Sequence, residues 1–339
     1  MRIMLAAGLL GCAAAIAVSA EAPPRGHGSS THPSIEGNWR VNFIIPMEAT
    51  PATPQLVVSE SDAKAVAATA GAALADEFAK TLDPELPMMV TQSDGLAIVR
   101  GQRRTRAVVL PVDGMLPYTT AARKELSAPP PSIPADNPEQ RPNAERCLVG
   151  SGQPPLSSFA LDSQIQIIRT RDQVVIHSEY GDDVRVVPLS KAHGPKVFWS
   201  RLGDSIGHWE GETLVIETTN FTDRTSISEN GNGLRHSDAL RLIERVTRVA
   251  VDIIDYRVTI EDPKTYIRPW TLVLSLTSPR GYELLPYDCH EGNYGLPNIL
   301  KGERAEDRAL EADARRGVYR ERRRLLTNPN TPAAEGSER

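Results

Sequence analysis

The sequence predicts a mainly β protein, an antiparallel meander closing into a barrel-like (lipocalin- or calycin-like) or sandwich architecture, with one helix ahead of it and one behind. Three observations predict this. Between residues 164 and 289, short runs rich in Val, Ile, Thr and Tyr recur, with polar or glycine turns between them. No helical period interrupts those runs, so neighbouring strands are joined by hairpins and not by crossover helices. Alanine-rich stretches with helical spacing flank the region. A sheet of roughly eight or nine strands curls or doubles, because a flat one leaves long edges unpaired.

The elements follow in order. Residues 1–20 have a cation at Arg2, an apolar run from Ile3 to Val18 and the small-residue ending Val18-Ser19-Ala20, the pattern of a cleaved signal peptide. The run is short for a membrane span, and Pro23, Pro24 and Gly26 follow it. Leu9-Leu10-Gly11-Cys12 also resembles a bacterial lipobox, so a lipid anchor at Cys12 is the alternative. Residues 21–34 read as a flexible leader. A strand is expected over 37–45, with Trp39, Val41 and Phe43 on one face, and then a helix over 59–80, capped by Ser59 or Ser61. Two strands are expected at 95–100 and 105–112.

Residues 128–155 are dense in proline and read as a long loop within one β-rich domain spanning 35–327. The meander then runs through QIQIIRT, QVVIHSEY, DVRVVPL, IGHW, TLVIETTNF, LRLIERVTRV, IIDYRVTI, the alternating Trp270, Leu272, Leu274 and Leu276, and YELLPYDC. A final helix is expected over 303–326, with Leu310, Ala314, Val318 and Leu325 along one stripe, packing on the sheet or covering its mouth. The basic run at Arg320, Arg322, Arg323 and Arg324 reads as a solvated helix face, and residues 328–339 as a disordered tail.

The chain of 339 residues has a formal charge of -5, which gives electrostatic capture of nucleic acid no support. Two of its three cysteines, Cys147 and Cys289, lie outside the signal. In an exported chain they are expected to form a disulfide, closing a loop of roughly 140 residues for about 5 kcal/mol of stabilisation.

The segment DCHEGNYG, residues 288–295, is the densest chemical cluster. His290 and Glu291 are the candidate catalytic pair, an imidazole titrating near neutrality beside a carboxylate that orients it. Adjacent residues of an extended chain point apart, so cooperation needs a turn at Gly292. The alternative is that both satisfy local backbone groups beside the disulfide. Asn293, His208, Trp209, Arg268 and Trp270 are candidate substrate contacts. Arg268 could hold a carboxylate or stack on an aromatic ring, while Trp270, at the head of an apolar alternation, is most simply core. Ser205 lies in a GDS sequence like that of one esterase superfamily, but its surroundings read as hairpins, not the strand-to-helix turn such a nucleophile needs. The seven histidines form no HxH or HExxH pair, so neither a metal nor a cofactor is expected.

The stretches GDSIGHWEGETLVIETTNFTD, LIERVTRV, TIEDPKTYIRPWTL and YDCHEGNYGLPNIL resemble a large family of exported, mostly uncharacterised bacterial β-rich proteins. The resemblance covers residues 147–304 and implies export and a β-rich single domain; it carries over no catalytic residue. Gly37-Asn38-Trp39 also resembles the G-x-W of lipocalin-like barrels.

The expectation is a periplasmic or secreted protein, with no transmembrane span in the mature chain, that binds a small, largely apolar or aromatic molecule. It would convert that ligand by acid/base chemistry as a lyase, isomerase or hydratase. The alternative is a non-catalytic carrier or an envelope structural protein.

Overall fold

The computed structural model describes residues 32–41, 47–79, 96, 98–127, 135–141, 144–148, 154–156, 164–189, 192–195, 199–223, 227, 236–279 and 281–322. The expected signal segment, most of the leader, Phe43, parts of the proline-rich stretch and the C-terminal tail lie outside these residues.

One antiparallel sheet organises the chain. Its strands are β1 (Gly37–Val41), β5 (Val108–Leu110), β6 (Ile165–Arg169), β7 (Gln173–Ser178), β8 (Val184–Pro188), β9 (Asp204–Glu210), β10 (Thr213–Thr219), β11 (Arg241–Ala250), β12 (Ile253–Glu261) and β13 (Trp270–Thr277). The order is β8-β7-β6-β1-β13-β12-β11-β10-β9, and β5 adds to β13. The meander is thus two hairpin runs joined by β1, which pairs Gly37 with Ile167 on one side and Arg40 with Thr277 on the other. A smaller sheet, in the order β2-β4-β3, is built from β2 (Val57–Val58), β3 (Ile98–Val99) and β4 (Gln102–Arg104). Helix α1 (Glu60–Ala79) starts beside it, where Glu60 accepts from Nε and Nη2 of Arg103 at 2.7 and 2.8 Å. The strands expected at 95–100 and 105–112 are shortened to β3 and β5, and β4 lies between them where no strand was expected.

Side chains alternate faces along each strand. Trp39, Ile165, Ile167, Val174, Ile176, Val187, Leu214, Ile216, Leu242, Val246, Ile254, Val258, Trp270, Leu272 and Leu274 form one continuous core. The sheet curls around it. β8 and β11 are six positions apart in the order, roughly 29 Å on a flat sheet, yet Arg185 of β8 bonds Glu244 of β11 at 2.6 Å. The two end strands also meet: a Cβ on Gly207 of β9 would sit 3.0 Å from Val187 Cγ1 of β8, so only glycine allows this approach without displacement. Among the described residues no ladder joins β8 to β9.

Residues 32–36 cross one end of the sheet. Pro33 and Ser34 carbonyls accept from Arg169 and Arg248 at 3.4 and 2.7 Å, Ile35 is fully buried, and its carbonyl accepts the Trp39 indole N–H at 2.9 Å. The Arg248 guanidinium lies 5.5 Å over the Trp39 ring.

Helix α2 (Thr120–Ser127) is capped by Thr119, whose hydroxyl accepts the Ala122 N–H at 3.2 Å. Helix α3 (Gly295–Arg315) begins and ends earlier than the sequence predicts. Its stop is a Schellman motif: Gly317 takes a φ of 78°, its N–H bonds Ala314 O, and the Val318 N–H bonds Asp313 O, both at 2.9 Å. The basic run past the stop folds back on the helix acids, Arg320 to Glu306 and Asp313, and Arg322 to Glu303 and Asp307.

Residues 282–289, expected as a strand, form none. They are held by side chains instead, with Asn38 donating to Tyr282 O at 2.8 Å and the Tyr282 hydroxyl donating to Glu179 at 2.6 Å. Cys147 and Cys289 form the expected disulfide, with their Cα atoms 5.6 Å apart. No described helix is long and apolar enough to cross a membrane.

Candidate functional site

The least expected chemistry lies on the core face of the sheet. Arg185 stands in the apolar phase of β8 with Val187, Glu244 in that of β11 with Leu242 and Val246, and Tyr256 in that of β12 with Ile254 and Val258. Curling brings the three together. Arg185 meets the Glu244 carboxylate with its two terminal nitrogens, Nη1 to Oε2 at 2.6 Å and Nη2 to Oε1 at 3.0 Å. The Tyr256 hydroxyl donates to the same Oε1 at 2.6 Å. Thr218 of β10 makes a long contact, 3.5 Å, to Oε2, and Ser205 of β9 lies 2.9 Å from Thr218. Glu244, Tyr256 and Thr218 are fully buried, and Arg185 and Ser205 nearly so.

Burial works against the Arg185 charge, and the adjoining Glu244 carboxylate more than offsets it, so the guanidinium is held above its ordinary range. Burial, reinforced by the Glu244 charge, pushes the Tyr256 hydroxyl well above the usual phenol range, which keeps it a proton donor. One valence of the group remains unfilled. Arg185 Nε has no hydrogen-bond partner among the described residues, and the end-on geometry leaves that N–H clear of the carboxylate. The Tyr256 oxygen accepts the Leu156 backbone N–H at 2.9 Å.

The residues singled out by sequence lie elsewhere. His290 and Glu291 are both exposed in the turn between the disulfide and α3, where the Glu291 N–H bonds Asp288 O at 3.0 Å; neither side chain has a hydrogen-bond partner among the described residues. Asn293 is tied to the disulfide, its amide donating to Glu145 O at 3.2 Å and approaching Cys147 Sγ at 3.4 Å. His208 is exposed and paired with Glu210 at 3.2 Å. Trp209 is half-buried with His32 stacked 4.6 Å from its ring and Arg169 5.4 Å over it. Arg268 is exposed in the β12–β13 connection. Trp270 is fully buried, edge-on to Tyr266 at 5.6 Å; Tyr266 lies 5.0 Å from Tyr118, whose hydroxyl burial pushes up to about 12. These residues do not converge. Among the described residues, no group of three or more His, Cys, Asp or Glu side chains is placed to hold a metal ion.

No family model, no curated protein and no solved structure matches this chain. The site is therefore read from its own geometry. The signal for it was present in the alternation: a cation in V-R-V-V and an acid in L-I-E-R-V occupy positions where the neighbouring residues in phase are apolar.

Proposed function

We propose that this protein is exported to the periplasm or secreted, that its sheet is barrel-like, and that it binds a small, largely apolar or aromatic molecule on its core face with the ligand's polar end at Arg185, Glu244 and Tyr256. One observation carries the reading. A fully buried ion pair does not improve on hydrophobic residues of the same shape as a source of stability, so five polar side chains inside an apolar core point to recognition of something polar. Export is supported by the Cys147–Cys289 bond, which belongs to an oxidising compartment.

The test is the double substitution Arg185→Met with Glu244→Leu. It keeps the core filled and removes the charges. The unaltered protein from its own compartment should carry a small molecule in native mass spectra, and the double variant should fold and carry none. Retention of that molecule by the folded double variant sinks the reading.

A second reading adds acid/base conversion of the ligand, of lyase, isomerase or hydratase type. It is favoured by the 2.6 Å bond between Tyr256 Oη and Glu244, a proton donor linked to a carboxylate inside an apolar site. We place that chemistry at Tyr256 and Glu244 in preference to His290 and Glu291, which sit in solvent without contact to each other. Loss of turnover in Tyr256→Phe even at ligand concentrations that saturate the variant is the expected result, and full turnover in that variant overturns the catalytic reading.

A further inference from the structure

A segment that belongs to no strand lies buried against the polar centre. Pro154, Pro155 and Leu156 are all buried, and the Leu156 N–H donates to Tyr256 Oη. Connecting segments normally run over the surface, because their backbone donors and acceptors have no ladder to satisfy them. On the donor side this one carries little of that cost. Proline has no N–H, so Leu156 supplies the only backbone donor of the three residues, and that donor points at the one acceptor position Tyr256 leaves open. An apolar body with a single donor directed at a buried polar centre has the chemistry of a ligand.

We infer that residues 154–156 are a built-in occupant of the binding site, and that the molecule displacing them is an apolar alcohol or phenol. The inference rests on the reading of the buried centre as a binding site. Tyr256 commits its proton to Glu244 Oε1 and offers only an acceptor, while Arg185 Nε offers only a donor. The two residues are neighbours at the same Glu244 oxygen, which Arg185 reaches through Nη2 and Tyr256 through its hydroxyl. A hydroxyl answers both at once, donating to Tyr256 and accepting from Arg185. A hydrocarbon answers neither. A carboxylate has no proton to give Tyr256 and is repelled by Glu244.

The probes are 2-naphthol, naphthalene and 2-naphthoate, titrated by fluorescence against the full exported chain and its Leu156→Gly and Tyr256→Phe variants. The unaltered protein should prefer the naphthol. Leu156→Gly, which weakens the internal occupant, should bind it roughly ten-fold tighter or more, since the competing buried leucine is gone. Tyr256→Phe should erase the preference for naphthol over naphthalene. Equal naphthol affinity in Leu156→Gly and the unaltered protein overturns the occupant and leaves the site standing, whereas binding of none of the three probes by any of these proteins overturns the site itself. Hydrogen exchange on the unaltered protein covers the case in which Leu156→Gly fails to fold. The Leu156 amide should exchange through local opening, far faster than amides of β11 and β12; exchange only on global unfolding makes the segment plain core and overturns the inference.

Discussion

At the scale of single residues, Glu244 is the group on which most depends, because three neighbours share its two oxygens. Replacing it alone with leucine strands the Arg185 charge, and denaturant unfolding should show a loss of about 3–5 kcal/mol. Pairing that change with Arg185→Met should restore most of the loss, which separates the cost of an orphaned charge from the net worth of the pair. His236 makes a different prediction. It is buried edge-on to Phe221, near Asp262 and Asp223, and burial lowers its pKa although those acids and the Ser237 carbonyl pull the other way. The unfolded chain then takes up the proton first, so stability present above the ordinary value of 6.5 is lost as pH falls below it. Glu217, whose pKa is lowered mainly by its bond from Arg241, adds a loss of the same sign that starts lower, below 4.5. Urea midpoints from neutral pH down to about 5 should fall for the unaltered protein and stay nearly level for His236→Gln; equal slopes would clear His236 of the effect. Cys289, His290 and Glu291 stand out in the sequence because three reactive types are side by side. Arg185 and Glu244 are far apart in the chain, and only the curl of the sheet puts them within bonding distance.

At the scale of elements, strand existence was legible and strand ends were not. Alternation and turn residues located the meander strands from β6 to β13, since both are local properties of the chain. The run at 282–289 alternates too, but its backbone finds no ladder and its partners are the side chains of Asn38 and Glu179. Helix α3 was placed too late, although Gly317, the residue that ends it, was visible in the sequence. The approach of β8 to β9 at Gly207 makes its own prediction. Gly207→Ala forces a Cβ to within 3.0 Å of Val187 Cγ1 and 3.2 Å of Leu189 Cδ2, and thermal unfolding should register about 1–3 kcal/mol of overpacking. Adding Val187→Ala to that variant should recover part of the loss. If it recovers nothing, the two strands do not meet at this point in solution.

At the scale of the whole molecule, the Cys147–Cys289 bond joins the proline-rich stretch to the entrance of α3 across a separation of 142 residues. Reduction should lower the midpoint of denaturation by an amount equivalent to at most about 5 kcal/mol, with Cys147→Ser/Cys289→Ser matching the reduced protein. A midpoint indifferent to reduction would mean that side-chain contacts alone hold that loop. The pairing of two cysteines was legible because composition and the expectation of export suffice for it; the curl was not, because it depends on which strand lies beside which. The place of β1 has a consequence for how the molecule comes into being. The first strand of the large sheet to be synthesised sits between β6 and β13, and its Arg40 must find Thr277 near the far end of the chain. The β9–β10 and β11–β12 hairpins close over tight turns and can form quickly, whereas β1 can take its final place only after β13 exists. Until β1 is in place, β6 and the β1-facing end of β13 each present an unpaired edge, the condition in which a β chain is most open to joining another copy of itself. Trp39, carried on β1 and buried when that gap closes, is then a late contact, and truncating it should quicken unfolding far more than it slows folding.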